Sequence, residues 1–263
     1  LLSNLALKVN LKMQGDNHPV NFMGLGSLRA NKIVLDVDVT YPTGAQDSGR
    51  PSIAYLVGSV DQNLMNYPGS MRLQAGEIED MRSMVKERLT AWQTANGGAL
   101  PEYMVFYRDG ISKSQFATCE KNEITAVRAV YFELCVGPNS GKKLKMTFVI
   151  VGKQHNARFY PTTPGDCTKN EENPDRSNMN ARPGLLVDRV VTNPDRVNFY
   201  LQSHQAPHGT ARSAHYHVLS IGPGEKYGEM RHVLTMGVGA RYICWGLGLQ
   251  SLRCKYLEGC QAS

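Results

Sequence analysis

Short apolar stretches alternate with longer amphipathic stretches along most of this 263-residue chain. The apolar stretches are rich in β-branched residues, which is typical of strands that are buried on both faces. The amphipathic stretches repeat their apolar residues every three or four positions, as the buried side of a helix does. This alternation predicts an α/β domain. The predicted strands are 33–40, 52–60, 71–74, 103–108 and 145–151, with short strands at 185–188 and 199–202, and the predicted helices are 2–13, 77–95 and 114–136.

The connections between these elements suggest how they pair. A turn rich in Pro and Gly joins the first two predicted strands, so we expect them to form a hairpin. The helix 77–95 precedes strand 103–108, which predicts a β-α-β crossover and a parallel pair of strands. Residues 167–183 are dense in Asn, Pro, Asp and Glu and predict a long surface loop. Residues 203–219 are rich in histidine, and frequent glycines beyond Ser220 leave that region without an assigned element.

Composition narrows the class of protein. The net charge is 29 − 23 = +6, which fits a polyanionic partner but is also common among soluble proteins. The six cysteines form no CxxC pair and there is no Asn-x-Ser/Thr sequence, which predicts a reducing compartment, and we expect the cytoplasm. No run approaches eighteen apolar residues, so no membrane span is predicted. The chain begins inside a helical pattern, which suggests a fragment of a longer protein.

Acidic residues stand at the ends of two of the most apolar strands. Asp36 and Asp38 lie two positions apart in the first predicted strand and therefore point to the same face. Asp109 ends the fourth predicted strand, directly before a glycine. A charge in a buried strand costs several kcal/mol unless it is paired. Two such carboxylates are suitable ligands for a divalent cation. We therefore predict a metal-dependent phosphodiester site at Asp38 and Asp109. Alternatively, each acid caps a helix or pairs with Arg50 or Arg108.

Basic residues form two candidate anion sites. Lys8 and Lys12 are four positions apart on the predicted first helix, so their ammonium groups project together, either into solvent or around one phosphate. Lys153, His155 and Arg158 follow directly on strand 145–151, where a basic cluster faces an anion or forms a solvated turn.

The histidine-rich segment favours nucleic-acid contact over zinc. His204 and His208 have the spacing of zinc ligands on a helix, but a proline and a glycine nearby disfavour that helix and no cysteine pair completes the site. Thr210 and Arg212 lie among the histidines, which suggests contact with phosphates and bases.

Several long motifs occur in an order that resembles the PIWI domain of eukaryotic Argonaute proteins. The resemblance runs from Leu2 to about Val218 and implies an RNase H-like fold, with a central mixed β-sheet flanked by α-helices. It also implies that residues 1–25 are the end of a MID domain with a linker, and that residues 26–263 are the PIWI domain. The motifs are LSNLALKVNLK (2–12), DVTYP (38–42), PSIAYLVGSV (51–60), FYRDGIS (106–112), TFVIVGKQHNAR (147–158) and FYLQSHQAPHGTARSAHYHVL (199–219).

The resemblance implies small-RNA-guided silencing and, in some members, cleavage of the target RNA by two-metal hydrolysis with Mg²⁺ or Mn²⁺. The family's catalytic set is Asp, Glu, Asp and then His or Asp. Its aspartates match Asp38 and Asp109, and its glutamate falls at Glu77, with Glu79 as the alternative. The fourth position corresponds to Gly248, which is neither His nor Asp. The alternative is therefore a non-slicing Argonaute that binds guide and target RNA and silences through partner proteins.

The same resemblance implies two sets of guide contacts. Backbone contacts carry no sequence information, which suits a protein whose specificity comes from base pairing. The implied partners are a small guide RNA, a complementary target RNA, the N, PAZ and MID domains of the same full-length chain, and silencing cofactor proteins, with no membrane. A DNA-guided enzyme or a general RNase H is less favoured, because the helix with Lys8 and Lys12 serves a guide terminus that an RNase H does not need. The implied contacts are Lys8, Lys12 and Arg253 with the guide 5′ phosphate, and Lys153, His155, Arg158, Thr210 and Arg212 with the guide backbone.

Overall fold

A computed structural model describes residues 5–7, 9–10, 13, 15, 31–41, 51–62, 64–74, 80–168, 180–203, 205–206 and 209–222. Within these ranges the chain forms an eight-stranded sheet and a layer of helices. The strands are β1 (Lys32–Thr40), β2 (Ser52–Gly58), β3 (Gly69–Gln74), β4 (Tyr103–Asp109), β5 (Lys145–Gly152), β6 (Leu186–Val187), β7 (Asn198–Leu201) and β8 (Ala214–Ser220). The named helices are α1 (Met81–Ala95), α2 (Phe116–Cys119) and α3 (Thr125–Leu134). The described residues 5–7 and 9–10, within the predicted helix 2–13, are also helical. None of the helices in these ranges has both the length and the apolar character needed to cross a bilayer.

The sheet is mixed, with strand order β3-β2-β1-β4-β5-β8-β7-β6. The central strands β1, β4 and β5 are parallel, and the strands on either side of them pair antiparallel. The predicted β1–β2 hairpin is confirmed. The predicted parallel pair is also confirmed, because the crossover through α1 places β4 beside β1 on the side away from β2. The α/β architecture expected from the sequence is therefore present.

Alternating side chains of the central strands build two separate cores. One core lies between the sheet and the helices, where Trp92 of α1 is fully buried and Phe106 stacks on Phe148 with ring centroids 4.8 Å apart. The other lies on the opposite face, where Phe199 stacks on Tyr216 at 5.0 Å. Burial of each such side chain contributes roughly 1.5–3 kcal/mol. Because both faces are covered, the central strands are apolar on both sides, as their sequences predicted.

The two long predicted helices differ from expectation. The first begins at Met81, after a non-helical Asp80, and not at residue 77; residues 75–79 lie outside the described residues. The second, predicted as one helix over 114–136, is a short 3₁₀ turn followed by α2, a π-helical segment (Glu120–Ile124) and α3. The π-helical segment contains Glu123, which accepts a hydrogen bond from the buried Arg108 of β4. The spacing of apolar residues carries no information about this polar contact, so it did not reveal the interruption.

The histidine-rich segment contains a strand that the sequence analysis did not assign. In β8, Ala214 and Tyr216 join the core away from the helices, while His215 and His217 point to the other face. Strands are recognised from apolar residues at alternate positions. The histidines at positions 215 and 217 weakened the apolar character of this stretch, so the strand was not predicted. β8 pairs with both β5 and β7, so it connects the parallel centre of the sheet to its short outer strands.

Candidate active site

Asp38 and Asp109 lie side by side at the same end of the sheet. Val37 pairs with Arg108 in the parallel β1–β4 register, so the next residue on each strand is one of the two acids. Adjacent strands are about 4.8 Å apart. By strand alternation, both side chains point to the face away from the helices. The structure therefore brings together the two acids that the sequence had selected.

The turn after β4 lies against the carboxylate of Asp38. Gly110 has a φ of +78°, a conformation that favours glycine. A Cβ at this position would lie 3.4 Å from Asp38 Oδ1. The carboxylate of Asp38 thus sits over the turn that immediately follows Asp109.

Asp38 is held by two hydrogen bonds. The hydroxyl of Tyr55 donates to Asp38 Oδ2 at 2.6 Å, and the backbone N–H of Val39 donates to Oδ1 at 2.8 Å. Tyr55 stands directly opposite Asp38 in the β1–β2 hairpin. Burial, and then the charges of Asp38, Asp36 and Asp109, raise the pKa of Tyr55 far above its usual value. Tyr55 is therefore a protonated donor at neutral pH, and its short bond to a carboxylate is of the charge-assisted kind.

Asp109 is paired with a lysine from the neighbouring strand end. Lys153 Nζ donates to Asp109 Oδ2 at 3.0 Å, and the carboxylate side chain is only 10% exposed. Lys153 comes directly after β5, which is parallel to β4 with Asp109 opposite Val151. The sequence analysis placed Lys153 on the guide backbone, whereas in this structure its ammonium bonds to a candidate metal ligand.

Arg108 has a different partner from the one considered in the sequence analysis. Its Nε donates to both carboxylate oxygens of Glu123 at 3.2 Å, and its guanidinium also donates to the backbone carbonyl of Asp109. The Arg108 and Glu123 side chains are 5% and 13% exposed. This buried ion pair ties the helical layer to the strand end that carries Asp109.

The three residues of the predicted basic cluster after β5, Lys153, His155 and Arg158, contact different partners. While Lys153 faces Asp109, the His155 ring packs against Tyr200, with centroids 5.2 Å apart, and its Nε2 bonds to the carbonyl of Ser213 at 2.6 Å. Arg158 donates to the backbone carbonyls of His155 and Ala157. His155 and Arg158 thus brace the chain around the site in this structure.

Thr210 and Arg212 are exposed on a loop that a buried asparagine anchors. Asn180 donates from Nδ2 to the carbonyl of Gly209 at 2.8 Å and accepts the N–H of Ala211 on Oδ1 at 2.8 Å. The side chains of Thr210 and Arg212 therefore project from a fixed segment into solvent, where a ligand can reach them.

His215 and His217 lie inside the fold, which corrects the expectation that the histidine-rich segment as a whole meets phosphates and bases. His215 stacks on Tyr200 at 3.9 Å and bonds to Asn198. Burial lowers the pKa of His215 to about 3 and that of His217 to about 4. Both rings are neutral at pH 7, which disfavours a role as phosphate ligands.

The chemistry of the two acids suits Mg²⁺ or Mn²⁺. The described residues contain no group of three or more His, Cys, Asp or Glu side chains placed to hold a metal ion. Mg²⁺ nevertheless commonly uses one or two carboxylates together with waters and substrate phosphates, so Asp38 and Asp109 fit it. The other predicted site residues lie outside the described residues: Glu77, Glu79, Lys8, Lys12, Arg253, Gly248, His204 and His208.

Sequence analysis missed two residues that shape the site. Tyr55 could have been found from the hairpin, since a residue opposite Asp38 on β2 shares its face. Asn180 gave no comparable signal, because its role depends on a loop about 30 positions further along the chain.

Comparison with known proteins agrees with this architecture. The Piwi domain family model matches residues 1–234. The chain is 35% identical over 243 residues to protein argonaute 5 of Arabidopsis thaliana and 33% identical over 222 residues to protein argonaute-2 of Drosophila melanogaster. Each match covers 83% of this chain but only 23% and 17%, respectively, of those relatives, so the chain spans a small part of their length.

A solved structure supports the same relationship. The structure of Kluyveromyces polysporus Argonaute with a guide RNA matches 88% of this chain and 28% of that one, with a TM-score of 0.75 and 31% sequence identity. The fold is accordingly RNase H-like, as the motifs implied. By its sequence motifs, its sheet and its matches, the chain belongs to the Piwi domain family, in the form found in eukaryotic Argonaute proteins.

Proposed function

We propose that this chain is the part of an Argonaute that binds a guide RNA paired to its target and cuts the target RNA. The observation that carries the proposal is the meeting of Asp38 and Asp109 on one face, at the ends of adjacent parallel strands. The likeness to an Argonaute solved with a guide RNA supports the choice of ligand. The activity of the whole protein, RNA-guided silencing, follows from the same likeness.

Each residue at the site has a distinct proposed role. Asp38 and Asp109 would hold Mg²⁺ or Mn²⁺, with Glu77 completing the set. When bound, the cation would activate a water and stabilise the leaving oxygen of the phosphodiester. Tyr55 and the Val39 N–H fix the orientation of the Asp38 carboxylate, because each donates a hydrogen bond to one of its two oxygens.

Guide binding is proposed to use two surfaces. The assignment of Thr210 and Arg212 to the guide backbone is supported by the exposure of both side chains on the loop that Asn180 anchors. The 5′ phosphate is assigned to the lysine pair of the first helix on the resemblance. Charge reversal there (Lys8→Glu with Lys12→Glu) should abolish the preference for 5′-phosphorylated guides in a competition binding assay. An unchanged preference would contradict the clamp. The full set that the resemblance implies is Lys8, Lys12 and Arg253 for the 5′ phosphate, with Lys153, His155, Arg158, Thr210 and Arg212 for the backbone. Of these, Lys153 bonds to Asp109 in this structure.

Cleavage is tested on the full-length protein loaded with a 5′-phosphorylated guide and given a labelled, fully complementary RNA with Mg²⁺. Asp38→Asn and Asp109→Asn should each slow cleavage by at least about 100-fold, since even groups that only orient metal ligands contribute 10- to 100-fold. Guide binding should be unchanged. Asp166→Asn is the matched control, because Asp166 is an exposed acid of a short 3₁₀ turn. Cleavage by Asp38→Asn at the wild-type rate would refute the assignment.

The second candidate is a non-slicing Argonaute that silences through partner proteins. It is favoured by the sequence, because Gly248, which corresponds to the family's fourth catalytic position, has no side chain that could bind a metal. In the same assay, a wild-type protein that binds guide and target but leaves a fully paired target intact would establish this alternative.

A further inference from the structure

We propose that Lys153 is a positioning residue whose ammonium is the resident counter-charge of Asp109 and competes with the divalent cation for that carboxylate. The inference rests on the proposed metal site at Asp38 and Asp109. It starts from one contact, the 3.0 Å bond from Lys153 Nζ to Asp109 Oδ2. A cation bound to that oxygen and an ammonium at hydrogen-bond distance from it would repel each other. Metal binding and the ion pair therefore oppose each other.

The charges around the site explain why a resident cation is needed. Tyr55 lies within the electrostatic reach of three carboxylates, those of Asp36, Asp38 and Asp109. Negative charges gathered at the end of a buried strand pair repel one another unless a cation is near. Lys153 supplies one positive charge at this point. Its ammonium thus stabilises the same carboxylate that would hold a divalent cation.

The geometry also shows which partner can move. The Asp109 side chain is 10% exposed and belongs to β4, which is held between two parallel neighbours. The Lys153 side chain is 33% exposed and lies one residue beyond the end of β5. A lysine carries its charge on a flexible four-carbon stem. The ammonium can therefore leave Asp109 for solvent while the carboxylate stays in place.

The test is Mn²⁺ binding to the full-length protein without RNA, measured from the loss of the free Mn²⁺ EPR signal. Lys153→Met should tighten binding by about 10- to 100-fold, the range over which groups beside metal ligands change affinity. Lys153→Arg keeps the charge and should stay near the wild-type affinity. The control is Lys145→Met, an exposed lysine at the opposite end of β5, which should also leave the affinity unchanged.

Thermal unfolding provides a second readout that does not depend on cleavage. Without metal, Lys153→Met should melt at a lower temperature than wild type, and Mn²⁺ should raise its melting temperature by more than it raises that of wild type. Equal or weaker Mn²⁺ binding by Lys153→Met would overturn the proposal and show that Lys153 only holds Asp109 in place.

Asp109→Asn separates this inference from the proposed function. If Asp109→Asn binds Mn²⁺ as wild type does, the metal site itself is wrong and the inference fails with it. If Asp109→Asn loses Mn²⁺ binding and Lys153→Met gains none, the metal site stands and only the competition is refuted.

Discussion

The buried ion pair of Arg108 and Glu123 offers the sharpest test of how the helical layer supports the site. Glu123→Gln keeps the shape of the side chain but removes its charge. A guanidinium in a protein carries a permanent positive charge, and that of Arg108 is almost fully enclosed. The substitution therefore leaves a buried positive charge without its carboxylate.

The expected loss follows from the burial of both partners. Removal of one member of a buried ion pair typically costs about 3–5 kcal/mol. Glutamine retains one acceptor oxygen for Arg108 Nε, so we expect the lower end, about 3 kcal/mol of unfolding free energy. In a domain of this size 1 kcal/mol shifts the melting temperature by roughly 2–4 °C, which gives a decrease of about 6–12 °C.

The measurement is urea unfolding followed by circular dichroism, with Glu120→Gln as the matched control. Glu120 belongs to the same π-helical segment but is exposed, so its substitution should stay within about 0.5 kcal/mol of wild type. Arg108→Met combined with Glu123→Leu should recover most of the loss, because the uncompensated charge is gone. A Glu123→Gln protein as stable as Glu120→Gln would refute the reasoning.

Three further predictions concern the site and the histidines. Tyr55→Phe should lower the unfolding free energy by about 1.5 kcal/mol in urea titrations, the lower end for a hydrogen bond to a charged group, and no change would contradict the Asp38 contact. Gly110→Ala and Gly98→Ala should each lower the unfolding free energy by about 1–2 kcal/mol, because both glycines have positive φ. Only Gly110→Ala should slow target cleavage, since a Cβ at Gly98 meets nothing within 4 Å. The pKa values of His215 and His217 are lowered from 6.5 to about 3 and about 4. As the pH falls below 6.5, these histidines take up protons in the unfolded chain before they do so in the folded one. We therefore expect their contribution to stability to be complete above pH 6.5 and to decline below it. His217→Gln should flatten that decline in urea unfolding between pH 7 and pH 5, and curves parallel to wild type would exclude the histidine as its source.

The sequence by itself determined the central strands, the buried side of the first long helix and the acids at the strand ends. The β-branched runs predicted the central strands, and the spacing of Met84, Leu89 and Trp92 predicted the buried side of α1, because both patterns arise from local periodicity. Asp36, Asp38 and Asp109 stood out because a charge in an apolar strand requires a partner, and the DVTYP motif then selected Asp38 over Asp36. These inferences needed no knowledge of which strands are neighbours.

Only the tertiary structure decided what surrounds the acids. Tyr55 reaches Asp38 through the hairpin register, and Lys153 reaches Asp109 because β5 lies beside β4, a contact between residues 44 positions apart. The strand at His215 and His217 and the π-helical segment were likewise hidden, since their stability comes from packing and from pairing with distant residues. Local pattern specifies the face and the end of a strand, whereas the partner across the sheet depends on strand order, which no local period encodes.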